Sequence, residues 1–285
     1  MNILYCGDKN IANGLIISTL SLLKNVNEPL NIFVLTVKFY INGKTYEPIS
    51  KELIHFLDCK VKMKNKESFV KLIDASVLFK NEIPYANIDT RFTPCCMLRL
   101  FADKIPELPE RILYLDNDVI CRKDFSEFYH QDLDSVELAG VLDYYGSWFF
   151  GGGIFHRNYL NSGVLLLNLK LIRESGLLLK CRKYCTEKRM FMPDQSAINK
   201  LAVSKKILPR KFNEQRKLKS DTVFQHFTTG FRFLLWIHTV SVKPWQKDRM
   251  HSILHLYEYD DLLEEYLILK KELESENIGE IYYAK

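Results

Sequence analysis

Short apolar runs alternate along this chain with segments whose hydrophobic residues recur at helical spacing. Asn2–Cys6 (NILYC) is short, apolar after Asn2, and runs into Gly7-Asp8, which predicts a strand ending in a loop. Ile11–Leu23 places Leu15, Thr19, Leu22 and Leu23 near one helical face. Leu30–Val37 (LNIFVLTV) predicts a second buried strand, Lys51–Leu57 a short helix, and Lys60–Lys64 an alternating strand. Met97–Ile105 predicts a helix stopped by Pro106 and Pro109. Arg111–Ile120 (RILYLDNDVI) predicts a strand ending in acids, and Leu138–Tyr144, Ser162–Leu169 and Val223–Phe227 predict further strands. Across His255–Glu276, residues Leu256, Tyr259, Leu263, Tyr266, Leu267 and Leu273 give a long helical pattern an apolar side, as an outer helix requires.

Apolar strands separated by helices predict an α/β fold, with a mostly parallel central sheet covered by helices on both faces. In such sheets the ligand crevice lies beyond the carboxyl ends of the strands, so the polar residues after Cys6, Leu115 and Leu142 should converge there. No internal repeat or clear linker divides the chain. We expect one main domain over 1–250, with residues 251–285 as a helical extension packed on it.

Composition narrows the function classes. The 285 residues are 47% hydrophobic and 26% charged, as in an ordered globular protein. Lys and Arg number 40 against 35 acids; that excess of +5 permits an anionic partner but does not announce nucleic acid. After five residues of the first apolar run, Asp8, Lys9 and Asn10 interrupt it, unlike a signal peptide, and no stretch approaches the roughly 20 apolar residues of a membrane span. The expectation is a cytoplasmic protein. Its seven cysteines (Cys6, Cys59, Cys95, Cys96, Cys121, Cys181, Cys185) include no CxxC pair and read as small apolar residues.

The sharpest chemistry is Asp116-Asn117-Asp118, straight after the apolar Ile112–Leu115. Residues two apart in an extended chain share a side. Two carboxylates so placed can hold a hard divalent cation, which in turn can bridge nucleotide phosphates. The same tripeptide also reads as a polar turn closing a strand.

RILYLDNDVI, then NSGVLLLNL at Asn161–Leu169, PDQSAIN at Pro193–Asn199, and His226 with Lys243-Pro244-Trp245 resemble glycosyltransferase family 8, with the motifs in family order from Asn2 to about Trp245. The resemblance implies a GT-A fold with a Rossmann-like sheet. It implies a retaining hexosyltransferase that uses UDP-glucose or UDP-galactose, a glycan or glycoconjugate acceptor, and Mn²⁺, or Mg²⁺ in its place. By similarity Asp116 and Asp118 bind the metal with His226 as third ligand. The same comparison gives Cys6, Asp8, Asn10, Arg99, Asn117, Asp143, Asn161, Gly163, Gly230 and Lys243 as donor-binding residues, and Asp194-Gln195 as the pair beside the anomeric carbon. Each also has a plainer reading: Gly7-Asp8 a turn, Asn10 a helix cap, Arg99 a solvated cation, Asp143 a turn cap, His226 a satisfied core residue, Pro193-Asp194 a helix start.

Ile11 stands where the family often has an aromatic ring for uracil. A larger departure is that seventeen positions separate His226 from Lys243, filled in part by FRFLLWIHTVSV, so Arg232 is a rival cation for the diphosphate. The carboxamide of Gln195 is a poor nucleophile, which favours front-face attack over double displacement. Tyr144–Phe155 (YYGSWFFGGGIF) reads as an acceptor lid, Lys205–Lys219, with seven basic residues, as a solvated face or an anion-binding strip, and Phe231–Ile237 as core or as a peripheral membrane contact. A nucleotidyltransferase is a competing function, but it usually brings a Gly-rich loop after its first strand, whereas CGDKNIANG has only Gly7 and Gly14. A non-catalytic sugar-binding relative is the third.

Overall fold

A computed structural model describes residues 1–90, 93–146, 158–234 and 236–283. In it the strands are β1 (Asn2–Gly7), β2 (Asn31–Thr36), β3 (Phe39–Ile41), β4 (Lys44–Tyr46), β5 (Phe69–Asp74), β6 (Arg111–Leu115), β7 (Val119–Cys121), β8 (Leu138–Leu142), β9 (Leu160–Asn168), β10 (Lys205–Ile207), β11 (Phe224–His226), β12 (Gly230–Leu234) and β13 (Trp236–Val240). Among the described residues seven of them form the main sheet, in the order β10-β8-β9-β6-β1-β2-β5. All neighbours run parallel except β9, which is antiparallel to both β6 and β8.

The continuous apolar runs have a direct cause. Alternate residues of a strand face opposite sides of the sheet, and each side has its own core. Ile3, Tyr5, Ile32, Val34, Leu113 and Leu115 enter one core; Leu4, Phe33, Leu35, Ile112 and Tyr114 enter the other. Each such aliphatic side chain contributes about 1.5–3 kcal/mol on burial.

Helix α1 (Ala12–Asn25) and α2 (Lys51–Lys64) cover the first face, and the long α3 (Asp260–Tyr283) packs outside α1. Tyr266 Oη donates to Asn13 Oδ1 at 2.8 Å, and Lys24 pairs with Glu265 at 2.6 Å. On the second face lies Pro94–Lys104, a 3-10 run in place of the helix expected over Met97–Ile105.

Four more expectations differ from the structure. Lys60–Lys64 belongs to α2, because Leu53, Leu57 and Val61 share its buried side while Met63 is left exposed. The strand expected over Arg111–Ile120 breaks into β6 and β7 at a turn, closed by Val119 N–H donating to Asp116 O at 3.2 Å. The outer helix starts at Asp260 rather than His255, whose φ of 52° is left-handed and ends a π-helical turn over Met250–Leu254. Leu267, expected on its apolar side, is exposed.

Residues 147–157, most of the expected acceptor lid, lie outside the described residues. The stretch between His226 and Lys243 contains an antiparallel hairpin of β12 and β13, and the Arg232 side chain lies outside the described residues.

Candidate active site

The end of β6 faces the start of β9, because β9 alone among its neighbours runs the other way. Asp116 N–H donates to Gly163 O at 2.8 Å and ties the two together. The Asp116-Asn117-Asp118 turn rests on α1. An added Cβ on Gly14 would lie 2.2 Å from Asn117 O and 2.9 Å from Trp245 Cζ3, so the helix must be bare there. Farther along α1, Ser21 Oγ accepts from Cys121 N–H at 2.9 Å and Asn25 Nδ2 donates to Cys121 O at 3.2 Å, pinning β7. β11 pairs with β7 in antiparallel register, His226 opposite Val119, and Phe227 N–H donates to Asp118 O at 3.0 Å. That small sheet brings the imidazole to the acids.

The His226 ring is oriented by Asn161. Gly163 N–H donates to Asn161 Oδ1 at 3.0 Å, and Asn213 Nδ2 donates to the same oxygen at 3.0 Å. His226 Nδ1, 3.1 Å from that oxygen, therefore carries a hydrogen and donates to it. Its Nε2 then faces Asp118 Oδ1 at 3.1 Å and Asp116 Oδ2 at 3.6 Å. One ligand atom each from Asp116, Asp118 and His226 lies within 4.8 Å of the others. The donor set of two carboxylates and one imidazole, with the imidazole's second nitrogen already hydrogen-bonded, fits a divalent cation. Gly163 leaves the room: a Cβ there would sit 2.1 Å from His226 Cε1.

Each carboxylate already has a cation. Arg99 Nη2 is 2.8 Å from Asp116 Oδ1, its Nη1 donates to Ser162 O at 2.7 Å, and its Nε donates to Cys96 O at 2.9 Å and lies 3.2 Å from Asp194 Oδ2. Its guanidinium stacks 4.1 Å from the Tyr114 ring centroid, and Tyr114 Oη donates to Asp116 Oδ1 at 2.6 Å. Burial works against the Arg99 charge, but Asp116, Tyr114 and Asp194 outweigh it and hold Arg99 protonated. Burial pushes the Tyr114 phenol well up; Arg99 opposes this and Asp116 adds to it, so the hydroxyl stays a donor. Lys243 Nζ sits on Asp118 Oδ2. Burial pushes the Asp118 carboxyl up, but Lys243 and His226 outweigh it and hold it well below the usual range.

Beside this pair lies a second network. Gln195 Oε1 accepts from Ser162 N–H at 3.0 Å, and Gln195 Nε2 donates to Asp143 Oδ2 at 3.2 Å. Asp143 Oδ2 also accepts from Asn161 Nδ2 at 2.9 Å, while its Oδ1 caps the turn through Tyr145 N–H and Gly146 N–H, so its two readings hold together. Asp194 accepts from Ser162 Oγ at 3.2 Å and begins the helix Pro193–Leu201, with Pro193 at its first turn.

A cavity of about 420 Å³ joins these groups. Cys6, Asp8, Arg99, Asp116, Asn117, Asp118, Asp143, Asn161, Asp194, Gln195, His226 and Lys243 all line it, so the polar residues after β1, β6 and β8 do converge. Two expected residues, Asn10 and Gly163, do not line it. Asn10 is exposed and donates to Asp8, which caps the 3-10 turn Lys9–Ile11; Asp8, not Asn10, is the cap. Gly163 lies behind His226, and Gly230 opens β12 with its surroundings outside the described residues. Sequence reasoning missed Tyr114, Ser162, Asn213 and Gln215. Of the basic stretch, Lys205, Lys206 and Arg210 donate to backbone carbonyls and Lys211 pairs with Glu127, which favours a partnered face.

Comparison with known proteins follows the same lines. The family model for glycosyl transferase family 8 matches residues 2–249. A probable glycosyl transferase of Streptococcus gordonii is 39% identical over 108 residues, which are 37% of this chain and 14% of that longer protein. The lipopolysaccharide 1,2-glucosyltransferase of Escherichia coli K12 is 26% identical over 281 residues, covering 90% of this chain and 76% of that one. The crystal structure of the galactosyltransferase LgtC with donor and acceptor sugar analogues superposes with a TM-score of 0.64 at 17% identity, covering 93% of this chain and 95% of that one; the likeness is one of fold, the GT-A arrangement. Among the described residues no helix is long and apolar enough to cross a membrane.

Proposed function

The chain belongs to glycosyl transferase family 8, and from that premise we propose that it moves a hexose, glucose or galactose, from a UDP-sugar to a glycan or glycoconjugate acceptor with retention of configuration. The observation that carries this reading is the approach of Asp116, Asp118 and His226 to within 4.8 Å at the end of β6, inside a cavity that also holds Asp8, Asp143 and Gln195. We take residues 1–250 as the catalytic domain and 251–285 as its helical extension.

Asp116, Asp118 and His226 Nε2 would hold Mn²⁺ or Mg²⁺, which when bound supplies positive charge against the diphosphate leaving group. Arg99 fixes Asp116 and keeps a guanidinium beside the donor. Asp8 at the end of β1 suits the ribose hydroxyls, and Asp143 and Asn161 suit those of the hexose. The Ile11 side chain lines the cavity and gives uracil an aliphatic rather than an aromatic wall.

In the proposed reaction the acceptor oxygen bonds to the anomeric carbon as the bond to the β-phosphate oxygen breaks on the same face. The acceptor proton passes to the departing phosphate. Gln195 positions and polarises. Two contacts support this front-face course: Asp194 is committed to Arg99 at 3.2 Å and to Ser162 Oγ at 3.2 Å, and Gln195 Oε1 accepts from Ser162 N–H at 3.0 Å. A carboxylate neutralised by a buried guanidinium is a weak nucleophile. The FRFLLWI segment, apolar but for Arg232, supports a peripheral contact with the membrane that bears such acceptors.

Incubation with UDP-glucose or UDP-galactose and, separately, with UTP plus sugar 1-phosphate tests the reading. UDP release in the first supports it; nucleotide-sugar synthesis in the second contradicts it.

A further inference from the structure

The two cations that neutralise the carboxylate pair differ in their freedom to leave. Arg99 is 6% exposed and held by Cys96 O, Ser162 O, Asp116, Asp194 and the Tyr114 ring. Lys243 is anchored at its base, where its N–H donates to Gln246 Oε1 at 3.0 Å and Trp245 packs against α1 at Gly14. Its ammonium touches Asp118 Oδ2 and lies 3.4 Å from Phe227 O, and its side chain is 31% exposed toward the cavity. One cation is built in, and the other stands on a flexible four-carbon stem.

Building on the divalent-cation site and diphosphate donor proposed above, we propose that Lys243 is a resident counter-ion of the metal site, and that its transfer from Asp118 to the donor diphosphate couples metal binding to nucleotide binding. The physics is competition. A divalent cation reaching Asp118 meets a carboxylate already occupied by an ammonium, and like charges repel across a buried site. A diphosphate offers that ammonium another anion within reach of its stem. Asp118 is then free, and metal and nucleotide each raise the affinity for the other, by the same factor because linkage is reciprocal. Arg99 cannot do this, since it is buried and held at the same time by Asp194, Cys96 O and Ser162 O. Lys243 thus acts as a positioning residue that keeps Asp118 paired and aimed until donor arrives.

The test is Mn²⁺ binding followed by paramagnetic resonance of free ion, with and without UDP, in the wild-type chain, Lys243→Met and Lys243→Arg. Without UDP, K243M should bind Mn²⁺ about tenfold tighter than wild type, and K243R should resemble wild type. UDP should tighten Mn²⁺ binding about tenfold or more in wild type and by much less in K243M. Equal melting temperatures exclude a folding defect as the cause. If K243M without UDP binds Mn²⁺ no tighter than wild type, the counter-ion role is overturned while the metal site stands. If wild type binds no Mn²⁺ even with UDP, the underlying metal-site reading falls, and the coupling with it.

Discussion

Gly163 and His226 are in contact so close that any side chain at position 163 must displace a neighbour: a Cβ there would lie 2.1 Å from His226 Cε1 and 2.7 Å from Asp116 Oδ2. The imidazole is the part that can yield, since the Gly163 backbone is held by Asp116 N–H and Asn161 Oδ1. Gly163→Ala should therefore turn the ring and weaken Mn²⁺ binding by roughly ten- to a hundredfold, while costing only about 1 kcal/mol of stability. Metal titration beside thermal melting checks this. Unchanged metal affinity would mean His226 is not a ligand.

Asp118→Asn removes a ligand charge and leaves Lys243 without its anion. Cation-dependent UDP release should fall by more than about a hundredfold, with the fold retained by circular dichroism. Asp116→Asn should act similarly, and in addition leave Arg99 only Asp194 as a carboxylate partner.

Gln195→Ala should slow transfer by roughly 10²–10³-fold without changing anomeric configuration, because a positioning and polarising contact is lost rather than a bonding atom. Proton NMR of the product reads the configuration. A glycosyl adduct trapped on Gln195 or Asp194 would sink the front-face course.

Far from the cavity, Arg182 is buried and bridges Glu82 at 2.6 Å and Asp103 at 2.5 Å. Arg182→Met should cost about 3 kcal/mol, since Asp103 loses this partner and Glu82 keeps only Lys104. Burial pushes the Glu82 carboxyl up, but Lys104 and Arg182 outweigh it and hold it below its usual range. A depressed carboxylate stabilises the fold above its unfolded value, and that gain is lost as pH falls through the folded one. The difference in melting temperature between wild type and Glu82→Gln should shrink as pH drops through the acid range; a difference constant with pH would count against the pairing.

How far the sequence was legible depended on whether a signal was local. NILYC, RILYLDND and NSGVLLLNL announce β1, β6 and β9, because a strand covered on both faces must be apolar throughout. β5 escaped notice since Lys71 and Asp74 are exposed at a sheet edge and break the run. The acid pair was visible, but its convergence comes from a turn at Asp116 rather than an extended strand. Tyr114 reads as one more apolar residue of RILYL; only the fold shows its hydroxyl on Asp116. Asn213 and Gln215 sit among basic residues that draw the eye, and their roles arise from contacts with Asn161 and Tyr144, 52 and 71 positions away. Long-range polar contacts leave no periodic trace.

The most direct measurement is acceptor-independent UDP release from UDP-glucose and UDP-galactose, with Mn²⁺ and with a chelator, in the wild-type chain and in Asp116→Asn/Asp118→Asn. Slow release from one of the two donors, present with Mn²⁺ and absent with chelator or in the double variant, is the expected result. Release that survives both, or no release from any UDP-hexose by a folded, Mn²⁺-loaded chain, would contradict a cation-dependent UDP-hexose transferase.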